Sequence, residues 1–370
     1  MVTSSDNSTP LEGEAGFTPS MGRCASGTVS VVVVNWNRCN LLRASLQSLS
    51  RQVCDRRFDV VVVDNGSRDG SAEMAEREFS EIATFRLGII RNGENRGFCE
   101  ANNQGIEASD SEFVALLNND AEAEPGWIAS LLTAFVDRPE VGMAASKILV
   151  YEEPARIDKV GHLIYLDGQN RGRGSGELDR GQYDLVEEVL WPDGCAAMYR
   201  RQMLDSIGLF DEDFFAYADD AELGLRARIA GWTCLYIPSA VVRHHRGLTL
   251  GLRSSRRLEL IERNRILLAA KLFPWSLLCL NGVFYLARIM MGVMAALRGR
   301  GEVSRYPGLR GKVQVAMALM RADLSALRLL PRMFRKRRGL KRLRKLSPSQ
   351  LRRLLLQHQI PLKELNEQAI

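Results

Sequence analysis

The 370-residue chain has no C-x-x-C pair, and its seven cysteines are scattered and odd in number. That gives neither a disulfide framework nor a zinc cluster, and a reducing cytoplasm is the simpler setting. The chain also lacks G-x-x-x-x-G-K-S/T, a G-x-G-x-x-G after its first apolar run, H-E-x-x-H and G-x-S-x-G. Readings as a P-loop ATPase, a simple Rossmann dehydrogenase, a zincin or a serine hydrolase therefore lose their warrant. Residues 1–27 carry no apolar signal-peptide core and are rich in Ser, Thr, Gly and Pro, so they read as a disordered lead-in. The stretch Arg332 to Lys345 has no acidic residue against nine basic ones, which makes the net charge of +6 a local feature.

What is present is a globular composition, 46% hydrophobic and 25% charged, enough for one large or two modest domains. Three continuously apolar runs, "VSVVVV" at 29–34, "FDVVVV" at 58–63 and "FVALL" at 113–117, have the character of strands buried on both faces of a parallel sheet. Between the first two, Leu42, Leu46 and Leu49 recur at helical spacing and Asn40 is placed to cap the helix. "SRDGSAEMAEREF" predicts a second helix, "LGIIRN" a short strand, and "GFCEANNQGIEAS" a third helix through Phe98, Asn102 and Ile106. The order is β-α-β-α-β-α-β, an α/β sandwich with a mostly parallel sheet. Ligands of such sheets sit at the carboxyl ends of the strands, so the tips "NWN", "DNGSRDG" and "NND" converge on one crevice.

Beyond residue 150 the pattern loosens. Gly168, Gly172, Gly174 and Gly176 mark residues 151–190 as a mobile loop near the acceptor, not a phosphate cradle. Residues 272–297 are apolar at near-spanning length, but Pro274, Asn281 and Arg288 interrupt them. A central Arg costs roughly 2.5–3.5 kcal/mol on insertion scales, so a membrane-interfacial amphipathic helix is preferred over a spanning or a buried one. The basic run that follows suits an anionic leaflet. Without aromatics at stacking intervals, it gives no support for nucleic-acid binding.

Several polar groups stand at the strand ends. Asp64 could accept hydrogen bonds from a ribose or base, or Asp64 or Asn65 could simply cap the next helix. Asp120 could meet a hydrated divalent cation and a ligand's phosphates, or cap the helix before Pro125. His244 and His245 could coordinate that cation or form a plain surface pair. In "FFAYADDAELGLRARIAGW" (214–232), Asp219 stands three residues before Glu222, the spacing of a capping box. That leaves Asp220 in the first helical turn, where the macrodipole favours its ionised form. The aromatics Phe214, Phe215 and Tyr217 are more readily core than an acceptor wall.

Taken together, "VSVVVVNWN", "DVVVVDNGSRDGS", "NRGFCEANNQGI", "LLNNDAEAEPGWI", "DGCAAMYRRQMLDSIGLFDEDFFAYADDAELGLRARIAGW" and "YIPSAVVRHHRG" resemble the inverting nucleotide-sugar glycosyltransferases of family 2. The nearest likeness is to the bacterial rhamnosyltransferase-like branch, and the motifs fall in the family's order over about 29–250. The resemblance implies a GT-A fold, Rossmann-like, with a helical membrane-associating extension. Its implied divisions are a lead-in at 1–27, a catalytic domain at 28–265, an apolar helical region at 266–330 and a basic tail at 331–370. Within the catalytic domain, residues 28–125 would form the nucleotide-sugar half and 126–265 the acceptor half.

The resemblance also assigns roles. Asn35, Asn37, Asp64, Asn95, Asn102 and Asn119 would line the donor pocket. Asp120 matches the last acid of the family's D-x-D motif, here "NND", with His244, or alternatively His245, completing a Mg²⁺ or Mn²⁺ site. Asp220 matches the catalytic base of the family's E-D pair, with Asp219 in place of the commoner Glu. Such chemistry needs a base for the acceptor hydroxyl and a cation for the charge growing on the departing diphosphate. The implied reaction transfers a sugar, rhamnose from dTDP-rhamnose being favoured, to a lipid-linked or cell-surface glycan. The implied location is the cytoplasmic face of the cell membrane, on an anionic surface. Another sugar, such as galactofuranose or a hexose, or a non-catalytic membrane scaffold are the rival readings.

Overall fold

In the computed structural model, residues 28–54, 58–246, 254–301, 306 and 308–367 are described; the proposed lead-in at 1–27 lies outside them. The valine-rich runs become strands because β-branched side chains fill both faces of a pleated layer without losing much rotamer freedom. Strand β1 (Val29–Asn35) pairs in parallel with β2 (Phe58–Asp64), every residue of which is buried. Beyond them lie β3 (Phe85–Arg91) on one side and β4 (Phe113–Leu117) on the other, both parallel to their neighbours. The β1–β2 register sets Asn35 directly opposite Asp64, so the strand tips end level and the polar residues after them meet.

Helices α1 (Cys39–Ser50), α2 (Ser71–Phe79) and α3 (Phe98–Glu107) make the crossovers, as the spacing predicts, with Leu42, Leu46 and Leu49 buried. Asn40 does not cap α1. The Asp69 carboxylate, delivered by the turn after β2, accepts the Cys39 N–H at 2.9 Å and leaves Asn40 inside the first turn.

The second half of the domain supplies β5 (Ala121–Ala123), α4 (Trp127–Leu132), β6 (Val141–Val150), β7 (Ile157–Lys159), β8 (His162–Ile164), β9 (Asn170–Gly172), β10 (Glu187–Glu188), β11 (Ala196–Arg200), α5 (Arg201–Ile207), α6 (Asp219–Ile229) and β12 (Thr233–His244). The main sheet runs β10-β12-β6-β11-β4-β1-β2-β3. The parallel character read from the sequence holds through β3-β2-β1-β4 and for β6 with β12, but β11 runs antiparallel between β4 and β6, so the sheet is mixed. Two apolar layers cover it, one on each face.

Residues 151–190 are more built than their glycines suggest. They form four short strands, and Gly168, at φ +99°, sits where a Cβ would stand 2.7 Å from the Arg265 carbonyl. There the glycine provides close approach of two backbones, not a free hinge.

The C-terminal part is helical: α7 (Ser255–Leu272), α8 (Trp275–Leu278), α9 (Asn281–Leu297), α10 (Gly308–Gly339), α11 (Pro348–Gln357) and α12 (Leu362–Glu367). Pro274, with no N–H to donate, separates α7 from α8, and no helix among the described residues is long and apolar enough to cross a membrane. Arg288, which interrupts the apolar run, turns inward. Its guanidinium meets Asp167 at 2.6 Å and Glu262 at 2.7 and 2.8 Å. The basic run is not simply a solvated tail either: Lys336 pairs with Asp211 and, at 2.6 Å, with Asp213, and Arg332 reaches Asp213 at 2.8 Å. After it the chain folds back. The Ile164 N–H donates to the His358 carbonyl and the Ile360 N–H to that of Ile164, both at 3.0 Å, and Arg171 donates to the Glu364 carbonyl.

Candidate active site

At the strand tips a chain of amides links three of the expected donor-pocket residues. Asn119 Nδ2 donates to Asn35 Oδ1 at 2.7 Å, and Asn35 Nδ2 donates to Asp64 Oδ1 and to Ser67 Oγ, each at 3.2 Å. Asn37 closes the turn after β1 on the same loop, its N–H donating to Ser67 Oγ and its side chain accepting from the Arg68 N–H. Asn95 shapes the turn before α3, accepting from Asn65 Nδ2 and the Gly97 N–H. Asn102 is 1% exposed and donates to the Phe98 carbonyl one turn earlier, so the structure gives its amide a bond within α3.

Beside this network lies a cleft of about 330 Å³, into which Asp120, His244 and Asp220 all face. Antiparallel pairing of β5 with β12 sets His244 against Ala121, next to Asp120. His244 Nε2 stands 3.4 Å from Asp120 Oδ1, and its Nδ1 is 2.8 Å from Asp158 Oδ2 on β7. Burial alone would depress the imidazole; Cys195 and the Asp120 and Asp158 carboxylates reverse this and hold it well above its usual value. Asp120 Oδ1 is buried with no hydrogen-bond donor among the described residues. Once the His244 Nε2 proton is displaced, this desolvated carboxylate oxygen and an imidazole oriented by a second carboxylate fit a divalent cation. His245 points elsewhere, stacking on Tyr151 and meeting Glu152 at 3.0 Å, so His244 is the one placed beside Asp120.

The other wall carries the acids. Asp219 and Asp220 open α6, but Asp219 is the first helical residue and caps nothing; the preceding Ala218 is left-handed at φ 54°. Glu222 makes no capping box, because its buried carboxylate pairs with Arg226 at 2.7 Å and Lys271 at 2.6 Å. Phe215, Tyr217 and Ala218 all have positive φ, a strain of about 1–3 kcal/mol each for residues with a Cβ. Asn264, fully buried on α7, holds this turn by donating Nδ2 to the carbonyls of Phe214, Ala216 and Tyr217 at 2.7–2.9 Å. Phe214 is core, as expected, whereas Tyr217 faces the cleft.

Asp220 is held through both oxygens. Oδ1 accepts the Ala221 N–H at 2.7 Å, and Oδ2 lies 3.4 Å from the Gly194 N–H and 3.4 Å from His162 Nε2. That same Nε2 lies 2.9 Å from Asp193 Oδ2, which also receives Lys159 Nζ at 2.6 Å. Burial pushes the Asp220 carboxyl up, with Asp193 adding to the shift and His162 and Lys159 opposing it; burial and Asp220 push Asp219 to about 8. Position at a helix start therefore does not by itself secure ionisation. Against its burial, Asp193 is held well below the usual range by Lys159 and His162. His162, Asp193 and Asp220 are ligand types within 4.8 Å of one another, but the Lys159 ammonium already stands where a cation's charge would be needed.

Lys159, His162, Asp193 and Asn264 were not singled out in the sequence. The first two lie on the short strands of a segment whose order is tertiary, Asp193 opens the quoted segment "DGCAAMYRR" without being given a role, and Asn264 sits in a charged helix far along the chain. The one sequence clue was His162 itself, one of four histidines.

Residues 30–208 match the profile of glycosyl transferase family 2. Over 242 residues the chain is 29% identical to an N-acetylglucosaminyl-diphospho-decaprenol L-rhamnosyltransferase of Mycobacterium tuberculosis, covering 60% of this chain and 77% of that one. It is 28% identical over 239 residues to an uncharacterized protein of Sinorhizobium fredii, covering 60% of this chain but spanning only 25% of that relative's length. Among solved structures, GalNAc-T7 with UDP, GalNAc and Mn²⁺ superposes with a TM-score of 0.56 at 15% identity, over 68% of this chain and 48% of that one. The mannosyltransferase PcManGT from Pyrobaculum calidifontis, with GDP-Man and Mn²⁺, gives a TM-score of 0.50 at 19% identity, over 85% of each chain. At these identities the structural likenesses speak for the fold.

Proposed function

Because the chain carries a family 2 glycosyltransferase domain with the GT-A fold, we propose that it is an inverting rhamnosyltransferase. The donor is dTDP-rhamnose and the acceptor a hydroxyl of a lipid-linked or cell-surface glycan. The observation that carries this reading is that Asp220 and the Asp120–His244 pair, far apart in sequence, face one cleft beside the Asn35–Asp64–Asn119 network. The relative whose name specifies rhamnosyl transfer to a decaprenol-linked saccharide supports the choice of sugar and acceptor class.

In this reading the amide network and the turns around Asn37 and Asn95 receive the nucleotide. Asp120 and His244 hold Mg²⁺ or Mn²⁺, which supplies positive charge to the diphosphate. Asp220 takes the acceptor hydroxyl proton as that oxygen forms its bond to the anomeric carbon. The bond from that carbon to the diphosphate oxygen breaks, and its electron pair leaves with the nucleoside diphosphate. Attack from the face opposite the leaving group inverts the anomeric centre. Peripheral contact with an anionic surface at the inner face of the cell membrane brings the enzyme to its acceptor.

Purified protein incubated with Mg²⁺ or Mn²⁺ and a panel of nucleotide sugars tests the assignment through nucleoside diphosphate release. Release from dTDP-rhamnose is expected. Release from UDP-galactofuranose or a nucleotide hexose alone would transfer the reading to that sugar, and release from none would remove it.

A further inference from the structure

Helix α10, part of the helical extension expected to meet a membrane, presents a long apolar stripe to solvent. Its buried face is made largely of small residues, Gly311, Val315, Ala318, Ala322 and Ala326. Met333 is buried and Leu329 and Leu330 pack inward near its end, but six of its large apolar side chains point the other way. Leu309, Val313, Met317, Met320, Leu324 and Leu327 recur at intervals of three and four, and all are exposed, Leu309 at 80% and Met320 at 58%. At roughly 100° per residue these six fall on one stripe opposite the buried face, running about 27 Å along the helix. Water selects the reverse arrangement, large residues inward and polar ones outward.

The stripe has a charged border. Arg310, Arg321 and Arg328 are exposed and lie about 60–90° around the helix from its centre, forming one row, with Arg332 beyond them paired to Asp213. Asp323 is the only acid in α10, against nine basic residues. A second copy laid on this stripe would bring arginines without matching carboxylates, whereas phosphate headgroups supply the missing charge and acyl chains the apolar contact.

We propose that α10 is a lipid-contacting surface of this protein, lying in the plane of an anionic membrane with the Leu309–Leu327 stripe in the acyl boundary and the arginine row among phosphates. This rests on the membrane contact in the proposed function and adds α10 to the 272–297 segment, whose Leu280, Val283, Leu286, Met290 and Leu297 are exposed as well. Arg288 turns inward to an ion network, while the large apolar side chains of α9 stay exposed.

Co-sedimentation of the full chain with phosphatidylcholine vesicles, with and without one part phosphatidylglycerol in about three, tests the surface. Binding is expected with the anionic vesicles and should weaken with salt. The pair Met320→Glu and Leu324→Glu should abolish it. Arg321→Ala with Arg328→Ala should lower anionic binding roughly 25-fold, about fivefold for each arginine, and leave neutral-vesicle binding unchanged. Nucleoside diphosphate release from the donor, measured on the same preparations, should equal wild type in all of them and reports that each variant is folded. Vesicle binding by the glutamate pair at the wild-type level overturns the proposal. So does a dimer by light scattering that Met320→Glu splits while no vesicle is bound, which assigns the stripe to a second copy. A protein that binds vesicles but releases no nucleotide sinks only the enzymatic reading.

Discussion

Removing the His162 imidazole should change the acidity of Asp220 before it changes anything else about the enzyme. Asp220 is buried beside Asp219 and Asp193, and besides the backbone N–H of Ala221 the side chains that oppose its neutralisation are His162, at 3.4 Å, and Lys159, one carboxylate further away. A direct bond to a charged group contributes about 1.5–3 kcal/mol, and a 3.4 Å contact from a nitrogen already bonded to Asp193 belongs at the lower end of that range. At about 1.4 kcal/mol per pKa unit, His162→Ala should raise the Asp220 carboxyl by roughly one unit. A base must be ionised, so the acidic limb of the kcat profile moves to higher pH by the same amount. On that limb the variant runs roughly tenfold slower, with the difference closing towards high pH. His162→Gln keeps an N–H within reach and should restore part of the shift. Initial rates of nucleoside diphosphate release at saturating donor and acceptor, from pH 5 to 9, give the profile, and the donor KM should stay constant. An acidic limb at the same pH in both variants, or a loss that is uniform with pH and not relieved by glutamine, would show that His162 only packs against Trp191 and does not govern the base.

Other perturbations separate the remaining parts. Asp220→Asn should lower transfer by roughly 10²–10⁴-fold while donor binding by calorimetry is largely kept; near wild-type turnover would remove Asp220 as the base. Asp120→Asn should raise the Mn²⁺ concentration needed for half-maximal rate by tenfold or more, and an unchanged metal titration would dissociate Asp120 from the cation. Asn264→Ala takes the side-chain donor from the Ala216 and Tyr217 carbonyls, while that of Phe214 keeps Arg263, and it releases a strained turn, so a loss of roughly 2–4 kcal/mol in denaturant unfolding is expected together with lost activity; equal stability would refute the clamp. Acid should weaken the fold in a defined window. Opposing their burial, Lys271 and Lys336 hold Asp211 at about 2, and Arg288 and Arg265 hold Glu262 at about 2. Carboxyls depressed in the folded state contribute stability that is complete above about pH 4.5 and lost as pH falls towards 2, so the melting temperature should drop across that interval. A flat profile there would contradict both ion networks.

The parts legible in the sequence were those fixed by local pattern. Runs such as "FDVVVV" admit little besides a strand buried on both faces, and polar residues directly after them had to gather at one edge of the sheet. Motif order carried Asp120, Asp220 and His244, and β5–β12 pairing brings two of them together. Where the reading differed from the structure, a distant partner outweighed a local rule. Asp69 took the capping role from Asn40, Arg226 and Lys271 drew Glu222 out of a capping box, and Glu262 drew Arg288 out of the apolar run. The His162–Asp193–Lys159 chain had no pattern to announce it, because its members come from different short strands and loops. A close fit assembles it: Gly224 leaves α6 room to lie on Trp191, and the Trp191 ring stacks on His162.

The return of the last helices onto the catalytic domain has a consequence for biosynthesis. The helix bearing Asp220 leaves the ribosome about 130 residues before the segment that pairs with Ile164 and donates to its wall, an interval of roughly 7–26 s at about 5–20 residues per second. During that interval the Ile164 backbone and the Asp213 carboxylate wait for the partners that α10 and the final turns supply, while Asp211 already has Lys271 and Arg171 already reaches Ser175. Maturation of the cleft therefore waits for the segment around Ile360 to emerge, and α10, with its apolar stripe, emerges before the chain can fold back.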